Sequence, residues 1–343
     1  MRKVAILVGG LLVIISGFTW IIWEAYFRAG FEKSGHFYLS QYSDLGVEAV
    51  TKELVSEGYI KNSGGFIQAT RLKRIQKFKP GRYWFEKGQS QWQGINALRS
   101  GAQTPVNVVI NACSGVERLA AVLGNQLDVD STEWYRFFMS EENIKACQST
   151  KEAWTYLITP NTYSFYWTVS PEDFMKRMRE EHEAFWSKQT EALSKTGLTR
   201  LQVVTLASIV EKETNKAAEM PKVAGLYLNR LKKNWKLESD PTALKGVQKA
   251  FPDSVVKRVL RKHIEFPSPY NTYLNTGLPP GPISIPSIQS IKAVLEPEMH
   301  DYFFMVASVD RPGYHEFSRA NEYSRHSGLA NRYRQFLQEN RIR

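Results

Sequence analysis

Two carboxylates, Glu211 and Glu213, close the run Leu206-Ala207-Ser208-Ile209-Val210-Glu211-Lys212-Glu213-Thr214, which is otherwise mostly apolar or small. Positions 206, 209, 210 and 213 follow the i, i+3, i+4, i+7 rule, so a helix burying Leu206, Ile209 and Val210 carries Glu213 on the same face. A carboxyl held against aliphatic side chains has its charged form disfavoured and keeps a proton toward neutral pH. That is the property a general acid needs to protonate a leaving oxygen. Glu211 is the alternative acid: Ala207 and Ser208 lie one turn back from it, and small residues there leave room for a substrate. Taken alone, the run also fits a helix-end acid that points to water, so the rest of the chain must decide.

Other chemistries find little support. The six histidines show no His-Glu-x-x-His arrangement and no close spacing with cysteine, so no metal site is expected. A lone histidine such as His315 reads as a structural hydrogen-bonding group. No Gly-x-Ser-x-Gly turn offers a serine nucleophile and no glycine-rich loop cradles phosphates, so no cofactor is expected. Carboxylate chemistry remains.

The elements that would position these acids form an α+β chain. The spacing predicts the glutamate helix over 201–214, then a helix with Pro221 in its first turn running through Asn229 and Arg230 to about 233. Asp240-Pro241-Thr242 reads as a turn, followed by a helical region to about 261. Residues 266–286 hold six prolines and no helical or strand pattern. A loop of that length in a compact domain is usually functional, and its Tyr270-Asn271-Thr272-Tyr273 mixes aromatics and amides as a sugar cleft does. Tyr302-Phe303-Phe304-Met305-Val306-Ala307 reads as a buried strand, His315-Glu316-Phe317 as a second, and 321–340 as a polar helix.

Upstream lies an internal repeat. Gly46-Val47-Glu48-Ala49-Val50 with Leu54 is echoed by Gly115-Val116-Glu117-Arg118-Leu119 with Leu123. Pro80-Gly81-Arg82-Tyr83-Trp84-Phe85 with Ser90 is echoed by Pro160-Asn161-Thr162-Tyr163-Ser164-Phe165 with Ser170. Each copy reads as an amphipathic helix, a turn, a short strand with aromatics on one face and a serine N-cap. The unit has the size and pattern of a carbohydrate-binding LysM-like module, or of a rigid spacer that binds nothing.

The 343 residues suffice for two or three folded units. Residues 4–23 are an uncharged, mostly apolar run of 20, preceded by Arg2 and Lys3, ended by Trp20-Ile21-Ile22-Trp23 and followed by Glu24. That length spans a bilayer as a helix, and the positive-inside rule leaves residues 1–3 in the cytoplasm and exports the remainder. A cleaved signal peptide would have a shorter apolar core and a small-x-small site, so a retained single-pass anchor in the cell (inner) membrane is expected. The formal charge of +11 suits lipid headgroups or anionic wall polymers; nucleic acid fits an exported domain poorly and has no binding motif here. Cys113 and Cys147 are the only cysteines, too few for a disulfide scaffold.

Five blocks stand in order: Ala207 to Thr214, the helix with Asn229-Arg230, Ser239-Asp240-Pro241-Thr242, Ser268-Pro269-Tyr270-Asn271-Thr272-Tyr273, and Gly277-Leu278-Pro279-Pro280-Gly281-Pro282-Ile283. Together they resemble the endolytic murein transglycosylases, the YceG-like family, across essentially the whole chain. Lys245 departs from the pattern, standing where that family tends to an aromatic. The resemblance implies a membrane anchor at 4–23, a duplicated LysM-like region at 40–195 and a catalytic domain at 198–343. It also implies cleavage of the β-1,4 bond between N-acetylmuramic acid and N-acetylglucosamine in nascent peptidoglycan strands, with peptidoglycan synthases as partners. No water enters: a glutamic acid protonates the bridging oxygen and the muramic 6-hydroxyl closes a 1,6-anhydro ring. Hydrolases need a second carboxylate, whereas one glutamate can act here as acid and then base. Glu213-Thr214 resembles the Glu-Ser pair of lysozyme-like transglycosylases, which favours Glu213 over Glu211. Asn229, Asp240, Thr242, Tyr270, Asn271 and Tyr273 are then the candidate sugar contacts or their supports. The competing reading is a non-catalytic wall-binding scaffold that recruits synthesis machinery.

Overall fold

The computed structural model of the chain describes residues 10, 12–20, 30–61, 63–252, 254, 256 and 259–340. Half of the expected membrane segment 4–23 lies outside them. Residues 12–20 are helical, and among the described residues no helix is long and apolar enough to cross a membrane. The fold is α+β, helix-rich with three two-stranded sheets. It divides into two compact units, the first holding 1–108, 123–130 and 163–170, the second 109–122, 131–162 and 171–343.

In the first unit, β1 (Gly35–Leu39) pairs antiparallel with β2 (Gly81–Phe85) in the register Phe37↔Tyr83 and Leu39↔Gly81. Between them run α1 (Val47–Ser56) and α2 (Ser63–Leu72), and α3 (Gln91–Ser100) follows. Strand alternation turns Phe37, Leu39, Tyr83 and Phe85 inward against Val50, Leu54, Phe66 and Ile95, all fully buried. The expected Ser90 cap is present as a capping box with Gln93 at the start of α3.

A similar order of elements, with one helix more, occupies 106–165: β3 (Val106–Ile110), α4 (Val116–Gly124), α5 (Ser131–Phe138), α6 (Glu141–Ala146) and β4 (Asn161–Phe165), with β3 hydrogen-bonded to β4. Cys147 is buried, Cys113 half-buried, and both thiols are free.

The second unit continues through α7 (Pro171–Ser187), α8 (Thr190–Thr196), α9 (Arg200–Glu213), α10 (Met220–Lys232), α11 (Asp240–Ala250), α12 (Arg261–Ile264) and α13 (Ile288–Leu295). It ends in β5 (Tyr302–Ala307), β6 (His315–Arg319) and α14 (Tyr323–Glu339). Helix α9 is its centre. Thr199 caps it reciprocally with Gln202, and every residue from Val203 to Val210 is buried. Helices α10 and α13 cover it through Leu226, Tyr227, Ile291 and Val294. Asp240, expected in a turn, is instead the first residue of α11, with Pro241 in the opening turn where its missing N–H costs nothing.

Gly225 lets α10 approach the segment ahead of β5. A Cβ there would stand 2.4 Å from the Glu298 carbonyl and 2.8 Å from His300 Nε2, and the Glu298 N–H is itself tied to the Pro221 carbonyl at 3.0 Å. Backbone so anchored cannot yield cheaply. Gly225→Ala is therefore expected to lower the unfolding free energy by about 1–3 kcal/mol, the usual range for overpacking, read as a lower urea midpoint.

Candidate active site

The last turn of α9 sends its two acids to different places. Glu211 is tied to the start of α13: its Oε2 accepts from Ser287 Oγ at 2.5 Å and Ser287 N at 3.3 Å. Glu213 lines a polar cleft of about 200 Å³ together with Tyr227, Arg230, Glu238, Asp240, Tyr273 and His315. Residues two apart on a helix differ by about 200° in direction, which is why one acid serves packing while its neighbour faces the cleft.

Two hydroxyls converge on one oxygen of Glu213. Ser239 Oγ donates to Oε1 at 2.5 Å and Tyr227 Oη donates to the same atom at 2.8 Å. Ser239 and Tyr227 are buried, and among the described residues Oε2 has no hydrogen-bond partner. With Oε1 accepting twice, a proton on this carboxyl belongs on Oε2. Burial raises the Glu213 pKa above the usual carboxylate range; the Ser239 and Tyr227 bonds oppose the rise, the Asp240 charge adds to it, and His315 opposes it. The expectation of a raised pKa stands, although the close partners are hydroxyls where the sequence suggested aliphatic neighbours. Thr214 contributes no hydroxyl to the acid, because its Oγ1 accepts from Lys216 N at 3.1 Å and closes the helix.

Arg230 builds the wall that carries Ser239. Its Nε donates to the Phe303 carbonyl at 2.7 Å and its Nη1 to the Leu237 carbonyl at 2.7 Å. The turn it holds contains Asn234 and Glu238, both with left-handed backbone at φ 52° and 50°, a conformation that persists in non-glycine residues only where surroundings enforce it. Ser239 N is fixed in turn by Thr272 Oγ1 at 3.1 Å.

The candidate sugar contacts separate into two groups. Asp240 and Tyr273 are in the cleft, where Tyr273 Oη donates to Asp240 Oδ1 at 2.7 Å. The other four are supports. Asn229 Nδ2 donates to the His300 and Tyr302 carbonyls at 2.8 and 3.2 Å, joining α10 to β5. Asn271, fully buried, donates to the Ile264 and Phe266 carbonyls and accepts from Tyr273 N. Thr242 is buried against Thr272 Oγ1 at 2.7 Å. Tyr270 lies in the core under Lys249, its phenol pushed up to about 12 by burial and by Glu152. For Asn271 the physical reason is plain: an irregular loop must satisfy its own polar backbone groups, and a side chain within reach is spent on them. Lys245 is half-buried with its charge opposite Glu117 and does not line the cleft.

Sequence reasoning did not single out Ser239, Tyr227, Glu219 or His315 as site residues. Glu219, 5 % exposed, accepts from His315 N at 2.7 Å and from His315 Nδ1 at 2.9 Å. Among the described residues no group of three or more His, Cys, Asp or Glu side chains could hold a metal ion.

The family described as YceG-like matches residues 43–331. The endolytic murein transglycosylase of Bacillus subtilis is 28 % identical over 281 residues, covering 77 % of either chain. That of Streptococcus pneumoniae D39 is 24 % identical over 291 residues, and the matched part is 77 % of this chain but only 52 % of the streptococcal one. The crystal structure of a YceG-like protein from Listeria monocytogenes aligns with a TM-score of 0.53 at 25 % identity, over 86 % of this chain and 99 % of that one.

Because Glu213 titrates higher folded than unfolded, the native state holds its proton more tightly. Stability from this group is fully present below the unfolded carboxyl pKa and is lost as pH rises through the raised value. Replacing Tyr227 by Phe removes a donor to the ionised form and is expected to move the Glu213 titration upward; Asp240→Asn removes a like charge and is expected to move it downward. Carbon-13 NMR of the labelled carboxyl reads both shifts, and movement in the same direction for the two variants contradicts the electrostatic account.

Proposed function

The chain belongs to the YceG-like family, and from that premise we propose that it is a membrane-anchored endolytic lytic transglycosylase of peptidoglycan. As an enzyme it is of the lyase type, in keeping with relatives named endolytic murein transglycosylase. Its substrate is the glycan strand, its bond the β-1,4 link between N-acetylmuramic acid and N-acetylglucosamine, and its product end a 1,6-anhydro ring. We read residues 4–23 as the anchor in the cell membrane, 40–195 as duplicated LysM-like units that hold the strand, and 198–343 as the catalytic domain. The exported enzyme then trims nascent strands beside the synthases that make them.

One observation carries this reading: a carboxyl whose pKa is raised by burial, with Oε1 accepting from Ser239 and Tyr227, stands in a polar cleft. Glu213 Oε2 donates its proton to the bridging oxygen as the C1–O4 bond breaks, and positive charge develops at C1 and the ring oxygen. The carboxylates of Asp240 and Glu238 share the cleft and favour that charge. The muramic 6-hydroxyl closes on C1, so no water is required. An acid of this kind loses activity as pH rises through its raised pKa.

Glu213→Gln is expected to cut formation of anhydro ends from purified sacculi at least about 100-fold, the scale of general-acid loss, with the fold retained. Glu211→Gln is expected to cleave but with a loosened α13. Mass spectrometry of the products decides. Products heavier by one water mark a hydrolase, and binding without product favours the scaffold reading.

A further inference from the structure

The lone histidine of β6 has the setting of a base. His315 lines the same cleft as Glu213. Its ring and its backbone N–H are both held by Glu219, at 2.9 and 2.7 Å, one bond to each carboxylate oxygen. Glu219 is 5 % exposed and precedes the first turn of α10, a position that favours negative charge. With Glu219 ionised, this contact places a proton on Nδ1, and in the neutral ring that leaves the lone pair on Nε2. Among the described residues Nε2 has no hydrogen-bond partner, and it is not one of the buried unsatisfied atoms. A base oriented by a buried acid through its far ring nitrogen is the arrangement that general-base catalysis uses.

We propose that His315, oriented by Glu219, is the base that takes the 6-hydroxyl proton of the N-acetylmuramic acid residue. This rests on the transglycosylase reading above. Glu213 gives its proton to O4 of the departing N-acetylglucosamine as C1–O4 breaks; O6 forms its bond to C1; the O6 proton goes to His315 Nε2. The reaction ends with Glu213 ionised and His315 an imidazolium between Glu213 and Glu219, and one proton passing from His315 to Glu213 restores the starting state. Nothing is oxidised and no water is consumed. Glu213 Oε1 already accepts from Ser239 and Tyr227, so Glu213 acting alone uses Oε2 for both transfers, first to O4 and then from O6; His315 Nε2 gives the second transfer a separate acceptor. Asp240 is the other carboxylate at hand, but its Oδ1 accepts from Tyr273 Oη. Glu219 is a positioning residue.

The groups facing His315 are Glu219 from the start of α10, Glu213 from α9, and the Arg230, Glu238, Asp240 and Tyr273 that share its cleft; Lys216 stands over the ring of the adjacent Tyr314 at 5.6 Å. The two mechanisms differ in pH dependence. A glutamate acting alone gives kcat/KM with a single fall on the alkaline side, while an acid plus a histidine base gives a bell.

The test uses the full chain in detergent micelles and purified uncrosslinked glycan strands, with anhydro ends counted from pH 5 to 9. Wild type is expected to give a bell. His315→Gln is expected to lose about 100-fold or more in kcat with Tm unchanged and the acid limb gone, and added imidazole is expected to restore part of the rate to His315→Ala. Glu219→Gln is expected to shift the acid limb while keeping KM. A wild-type profile without an acid limb overturns the proposal even if the variants fail to fold. So does a folded His315→Gln that keeps the limb or stays within about threefold of wild type. Wild type that makes only reducing ends, or no product, overturns the transglycosylase reading and the base with it; anhydro ends that depend on Glu213 but not on His315 overturn the base alone.

Discussion

A carboxyl keeps its proton toward neutral pH only where its ionised form is badly solvated, yet a buried carboxyl with no partners is costly. The pair of hydroxyls on Glu213 Oε1 reconciles these demands. They satisfy one oxygen, fix the rotamer and leave the other oxygen to carry the proton. The remaining structure of the second unit can be read as the means of bringing those hydroxyls there. Tyr227 arrives on α10, which packs against α9 through Leu226 and is brought close to the segment ahead of β5 by Gly225. Ser239 arrives on a turn that has no regular structure of its own and is held by Arg230 from one side and Thr272 from the other.

Arg230 illustrates how a charge can be structural without an ion pair of consequence. Its nearest acid, Glu238, is 3.5 Å away and exposed, an interaction worth little in water. Its strong contacts are the carbonyls of Leu237 and Phe303, each at 2.7 Å. The planar guanidinium ties the turn before α11 to β5 in one step, and the left-handed Glu238 follows from that tether.

The sequence disclosed elements better than partners. Helix α9 was legible because its apolar run and its terminal acids agree, and β5 because six consecutive apolar or aromatic residues admit few alternatives. Glu213 was legible from its place behind Leu206, Ile209 and Val210. What surrounds it was not, since Tyr227 and Ser239 lie 14 and 26 residues along the chain and nothing local marks a hydroxyl as aimed at a carboxyl. His315 and Glu219, 96 residues apart, are the extreme case: pairing at that separation is a property of the fold. The loop 266–286 divides between the cleft, which Tyr273 lines, and its own support. Asn271 is consumed in holding the carbonyls of Ile264 and Phe266, and Thr272 in holding Ser239 N.

The two acids of α9 end in different hands, and this has a consequence for how the site meets its ligand. Glu211 ties the final turn to Ser287 while Glu213 is gripped from two directions, so the end of the helix is denied the fraying usual at helix termini. The side-chain freedom of a glutamate, of the order of 1.5–2 kcal/mol, is surrendered when the chain folds. A ligand entering the cleft therefore meets a carboxyl that has little side-chain entropy left to lose, so little of the free energy of the encounter is spent on ordering it.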